Sequence, residues 1–276
     1  MKRIVLCADD YGQASTISKA IIALIQHGRI SATSCIVNYP DWLTQASWLS
    51  PFQNKIDIGL HFNLTEGKPL SSAYIAKYGD SFFPLSRLLT KAFFRRLDRL
   101  AIEEELSAQI AAFVKAFDCL PNYIDGHQHV HQFPIIQQAL INVYQNQFKG
   151  NEVYIRLAQQ KIRYVDFRAI LKNLIISVSG SKGLKKLLDQ YHIPYNSSFA
   201  GIYSFVNTEN YKQFFTGFLR QVDDKGLIMC HPGLEAQNGD DEIAKARYIE
   251  YQYLMSQQFL IDCEKEGVSL GRFQSF

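Results

Sequence analysis

Residues 4–12 read IVLCADDYG, a run of five apolar residues, Ile4 to Ala8, that stops on two adjacent carboxylates, Asp9 and Asp10. A continuously apolar run of this length reads as a strand of a parallel sheet covered on both faces, and Gly12 breaks it. The two carboxylates therefore fall at a strand's carboxyl end, the edge where α/β folds collect ligand and catalytic groups. A solvated turn with Asp10 or Ser15 capping the next helix is the rival reading of the same residues. The rest of the chain decides between them.

After this strand, Ser15 is placed to cap a helix over Ile17 to Gln26, with Ile17, Ile21, Leu24 and Ile25 on one face and a stop at Gly28. A strand follows at Ala32 to Val37, a short helix near Trp42, and a third strand at Asp57 to Leu64 that carries His61 near its end. This β-α-β-α-β order predicts parallel pairing. Residues 65–96 keep no sustained period and read as a long, functional loop. A helix over Leu97 to Phe117 leads to a short strand at Tyr123 to Gly126, a helix from Pro134 to Tyr144, and a strand at Val153 to Arg156. Residues 160–208 are the least regular, with helices expected near Phe167 to Val178 and Leu184 to Tyr191. The chain then reads helix (Tyr211 to Val222), strand (Leu227 to Cys230), helix (Glu242 to Leu260) and closing strand (Val268 to Arg272). No repeat or linker interrupts it, so residues 1–276 are expected to form one α/β domain of the barrel size, ~250 residues.

Composition narrows the function. A net charge of +3, with basic residues scattered apart from short clusters such as Lys182 to Lys186, gives no nucleic-acid surface. The five cysteines are widely spaced and form no CxxC pair, which fits reduced thiols in a cytoplasmic protein. The amino-terminal apolar run is halted by Asp9, so it fails as a signal peptide, and no window approaches the ~20 apolar residues of a membrane span.

Four strand ends finish on acid-base or metal-competent residues: CADD with Asp9 and Asp10, IGLHF with His61, YIDGHQHVH with Asp125, His127, His129 and His131, and IMCHPG with His231. One histidine in an apolar run is ordinarily a satisfied core residue, but agreement at four strand ends argues for a common site. The three alternate histidines follow Gly126, so the backbone is expected to turn there and to supply one or two ligands. His27 and His192 belong to no strand end and read as structural. Two imidazoles and a carboxylate make an open metal site, and a second carboxylate beside it can take a proton from water.

The order ADDYG, GLHFNLTEGKPL, DGHQHVHQFP and CHPG resembles the YdjC-like carbohydrate deacetylases, which include the chito-oligosaccharide deacetylase, over nearly the whole chain. The resemblance implies a distorted (β/α) barrel, TIM-barrel-like, holding one divalent metal ion, and removal of acetyl groups from N-acetylated sugars. Carried over by motif, Asp10, His61 and His127 would be the metal ligands, Asp9 the base, and His231 the acid for the leaving amine. Arg156 matches a basic position that would orient Asp9 or bind substrate. Residues 157–205 match no motif, which leaves the sugar unspecified.

The metal stays open between Mg²⁺ and Zn²⁺, the latter favoured by ligand softness. The expected partner is a small carbohydrate; a homodimer stays open. The competing readings are another mononuclear metal hydrolase, cleaving a cyclic amide or phosphoester on a similar barrel, and a catalytically silent carbohydrate-binding protein. A glycosidase fits less well, because adjacent Asp9 and Asp10 can hardly straddle a sugar linkage.

Overall fold

The computed structural model describes residues 1–148, 150, 153–159, 180–205, 208–235 and 241–273. Its elements run β1 (Lys2–Tyr11), α1 (Ser15–Gln26), β2 (Ala32–Cys35), α2 (Trp42–Leu49), β3 (Asp57–Phe62), α3 (Ser72–Tyr78), α4 (Leu85–Phe93), α5 (Arg99–Phe117), β4 (Tyr123–Gly126), α6 (Ile136–Gln147) and β5 (Tyr154–Ile155). They continue with α7 (residues 180–191), β6 (Phe199–Ala200), α8 (Tyr211–Gln221), β7 (Leu227–Cys230), α9 (Ala244–Met255), α10 (Gln257–Lys265) and β8 (Val268–Leu270).

Among the described residues all the strand pairings are parallel, in the order β5-β4-β3-β2-β1-β7-β6, with β8 joined to the start of β1. The sheet curls but does not close through its strands. A single parallel bridge, Ile155 to Tyr195, links the β5 side to the segment before β6 among the described residues. The architecture is a distorted, incomplete TIM-like barrel flanked by helices, as the family resemblance implied, and its parallel pairing is what the alternation of elements predicted. No described helix is long and apolar enough to cross a membrane.

Strand β1 lies at the centre and is fully buried from Ile4 to Ala8. Its side chains alternate, as a pleated strand requires. Ile4, Leu6 and Ala8 join the large core against the helices, whereas Val5 and Cys7 join a smaller inner cluster with Tyr123, Tyr154, Phe199 and Met229. Strict alternation would send Asp9 inward and Asp10 outward. Instead the register with β2 shifts between Ala8 and Tyr11, and Asp10 takes φ +68°. This irregularity turns both carboxylates to one site, a use of a bulge that re-aims a side chain beside a functional centre.

Several local expectations need correction. Ala14, not Ser15, occupies the cap position of α1, while the Ser18 hydroxyl accepts from Gly12 N at 2.9 Å. Residues 65–96 contain α3 and α4 rather than a continuous loop; Ser71 caps α3, and Gly79 ends it. The helix expected from Glu242 to Leu260 is two, because Ser256 adopts extended geometry and caps α10 through Phe259 N. Helix α6 begins at Ile136, two residues beyond Pro134. The helix expected near Phe167 to Val178 lies outside the described residues.

Gly12 closes the bulge at φ +93°, where an added Cβ would stand 2.5 Å from the Ile36 carbonyl oxygen. Gly12→Ala should therefore destabilise the fold by roughly 2–5 kcal/mol, the sum of the left-handed backbone penalty and the forced repacking. Urea unfolding measures it; an unchanged midpoint would mean that the Ile36 carbonyl yields at no cost.

Candidate active site

The ends of β1, β3 and β4 bring Asp10, His61 and His127 together, all buried, with one donor atom from each lying within 4.8 Å of the others. Asp10 Oδ1 is 3.3 Å from His61 Nε2 and 3.0 Å from His127 Nδ1. Among the described residues His61 Nε2 has no hydrogen-bond partner although it is buried. An orphaned imidazole nitrogen aimed at a carboxylate oxygen, with a second imidazole beside it, fits a divalent cation between them. Oxygen and imidazole donors suit Zn²⁺ and also admit harder ions.

The far side of each imidazole is held by a carboxylate. His61 Nδ1 lies 2.6 Å from Asp125 Oδ1, and His127 Nε2 lies 3.1 Å from Glu66 Oε1. Burial alone disfavours a charged imidazole, but Asp125, Asp10 and Asp9 outweigh it and raise His61 to about 10. Against the same burial, Asp10 and Glu66 raise His127 to about 9. Asp10 is buried, which would raise its carboxyl, yet Arg247 and the two histidines hold it well below the usual range. Arg247 Nη2 takes Asp10 Oδ2 at 2.8 Å, leaving Oδ1 to face the imidazoles.

Asp9 lies in a separate environment. The Arg156 guanidinium, with no exposed surface, donates to its two oxygens at 2.6 and 2.7 Å and reaches Asp125 Oδ2 at 2.6 Å. Burial pushes the Asp9 carboxyl up, but Arg156 overrides it and keeps the group ionised. Arg156, expected either to orient Asp9 or to bind substrate, is fully buried and bonded to both Asp9 and Asp125. Cys7, Asp9 and Asp125 form a second group with metal-competent atoms, but this guanidinium already lies among them, 2.9 Å from Cys7 Sγ.

After β4 the chain makes a tight 3₁₀ segment, His127–Gln132, with Gln128 and His129 at φ +52° and +59°. The turn sends the alternate histidines to different places. His131 Nε2 meets the Arg156 carbonyl oxygen at 2.9 Å, and burial lowers its pKa to about 4. His129 packs edge-on against Phe199, and neither it nor His131 joins the metal-competent triad. Gly126 permits the turn, since a Cβ there would stand 2.9 Å from the His131 backbone nitrogen.

His231, just past β7, places Nε2 4.0 Å from Asp9 Oδ2, with its ring edge on Phe205. Its backbone N–H donates to the buried Glu250 at 2.6 Å, and Glu250 also accepts from Tyr203. All six residues singled out by the motifs thus converge. Arg247, Glu250 and the contact made by Glu66 escaped that reading. Glu66 stands in the quoted GLHFNLTEGKPL stretch and could have been found there, whereas α9 carries no motif that marks Arg247 or Glu250.

The YdjC-like protein family matches residues 3–265. A chitooligosaccharide deacetylase of Serratia marcescens is 28% identical across 99% of this chain and 98% of its own length. One from Yersinia enterocolitica is 32% identical with the same coverage. Among solved structures, a protein described as a cellobiose-phosphate cleavage protein, from Enterococcus faecalis V583, shares the fold at a TM-score of 0.74 and 20% identity, covering 99% of this chain and 98% of that one. The chain, with its hydrolase fold and buried Asp-His-His cluster, belongs to the YdjC-like family.

Proposed function

We propose that the protein removes acetyl groups from N-acetylated sugars of the chito-oligosaccharide type, with Asp10, His61 and His127 as the ligands of one divalent cation. The observation that carries this reading is the placement, next to that triad, of an ionised Asp9 and of His231 4.0 Å from it. Two relatives matched over nearly full length carry the name chitooligosaccharide deacetylase, which supports the choice of substrate class.

A cation held there supplies Lewis acidity, lowering the pKa of water and polarising the acetamide carbonyl. The chain's own groups do the rest. Asp9, held by Arg156, stays ionised at neutral pH and takes the proton of the attacking water. His231 gives a proton to the departing nitrogen, and Glu250 fixes the backbone that carries His231. A pure binding module needs no such acid-base pair.

With an N-acetylated chitin-type disaccharide, acetate should appear without new reducing ends, stop on chelation and return with added divalent cation. Cleavage to monosaccharide that persists in chelator would overturn the reading. Acetate-free turnover of a cyclic amide or phosphoester would favour the rival hydrolase.

The adjacent carboxylates should separate by role. Asp10→Asn is expected to lose metal affinity, Asp9→Asn to keep the metal and lose turnover, and His231→Ala to keep metal and fold while kcat falls by ~10²–10⁴. Metal content and turnover of the purified variants decide it; a metal-free Asp9→Asn with a loaded Asp10→Asn reverses the assignment.

The raised histidines give the metal-free protein a stability contribution that is present below their ordinary value of 6.5 and is lost as pH rises through about 9 and about 10. At about pH 7 a cation must therefore displace protons from both imidazoles. Calorimetric Zn²⁺ titrations in buffers of different ionisation enthalpy should report proton release, and affinity should climb with pH. A buffer-independent enthalpy would contradict this.

A further inference from the structure

We infer that Glu66 is a positioning residue for the metal centre: its carboxylate holds His127 in the ligating orientation, as Asp125 does for His61, and closes a ring of hydrogen bonds that runs through His127 and Asp10. The inference rests on the metal reading above, and extends it to a residue to which neither the motif carry-over nor the donor set gave a part.

The ring can be followed atom by atom. In the metal-free protein His127 donates from Nδ1 to Asp10 Oδ1 at 3.0 Å and from Nε2 to Glu66 Oε1 at 3.1 Å, so a cation that took Nδ1 would leave the Nε2 proton on Glu66. Glu66 Oε2 accepts from Gln13 Nε2 at 2.7 Å and from the Tyr39 hydroxyl at 3.1 Å. Gln13 Oε1 in turn accepts from Arg247 Nη2 at 3.2 Å, and the same Nη2 donates to Asp10 Oδ2 at 2.8 Å. The residues come from β1, the loop after it, the loop after β2, the loop after β3, the turn after β4, and α9.

Glu66 is not a member of the close donor cluster, and it addresses the nitrogen of His127 that points away from Asp10. A direct ligand would not be spent there. A carboxylate on the far nitrogen of a ligating histidine fixes its tautomer and raises its basicity, and loss of such a partner characteristically weakens metal binding by about 10–100-fold. The two histidines differ in one respect: Asp125 is wholly buried, whereas the Glu66 side chain keeps 36% of its surface exposed. Its backbone is also independently anchored, because Asn63 and Asn38 both hold the Glu66 carbonyl oxygen, at 2.8 and 2.9 Å. Removing the carboxylate therefore leaves the loop in place.

The test is Zn²⁺ affinity, measured by competition with a chromogenic chelator, for wild type, Glu66→Gln and Glu66→Ala, with near-UV circular dichroism of the metal-free proteins. Glu66→Gln keeps the shape and an acceptor oxygen but loses the charge, so it should bind about tenfold more weakly; Glu66→Ala loses both and should approach 100-fold. Co²⁺-substituted protein should show a changed d–d absorption band in both variants at one bound ion per chain. A merely structural role would leave Glu66→Gln at wild-type affinity and overturn the inference. Loss of bound-metal stoichiometry in Glu66→Gln would overturn it in favour of direct ligation. Failure of wild type itself to bind Zn²⁺, Mg²⁺ or Co²⁺ would instead overturn the metal reading on which it stands.

Discussion

A guanidinium with no exposed surface, that of Arg156, binds Asp9 and Asp125 at once, and the site's charge balance depends on it. Three carboxylates converge within the barrel, where an unpaired charge costs several kcal/mol. Arg156 from the end of β5 neutralises one side of the group, and Arg247 from α9 neutralises the other through Asp10. Carboxylates still outnumber guanidiniums around the triad. The excess negative charge is met by protons on His61 and His127, which is why both are raised, or by a cation that replaces those protons.

The adjacent aspartates show how environment rather than residue type assigns a role. Asp9 continues the inward alternation of Val5 and Cys7 and lands on Arg156. Asp10 leaves that alternation through its positive φ and lands between two imidazoles. One backbone irregularity thus separates two otherwise equal carboxylates. The strand supplies their proximity, and the bulge supplies the difference between them.

Much of this was legible in the chain. Apolar runs ending on polar residues gave β1, β3, β4 and β7 and the convergence of their ends, because parallel strands necessarily present their carboxyl termini to one face. What stayed hidden depended on long-range packing. Arg247 and Glu250 lie on a helix of low amphipathic contrast, and nothing local distinguishes a buried arginine from a solvated one until the helix is docked. The split of the last helical stretch turned on Ser256, whose capping role competes with helix continuation in any linear reading. The turn after Gly126 was legible, but not that two left-handed residues, Gln128 and His129, would make it and send the three histidines apart.

Arg156 also bears on metal choice. Cys7 presents a thiol 3.4 Å from Asp9 Oδ1 and grouped with Asp125, a combination that soft, thiophilic ions would seek out. Burial raises that thiol far above its ordinary value, so it stays protonated and a poor ligand. The guanidinium fills the remaining space as an organic cation covalently tied to the sheet, which no chelator strips and no competing ion exchanges. Among the described residues the barrel thus carries two groupings able to attract positive charge, and in the sulfur-containing one that charge is already supplied by a side chain.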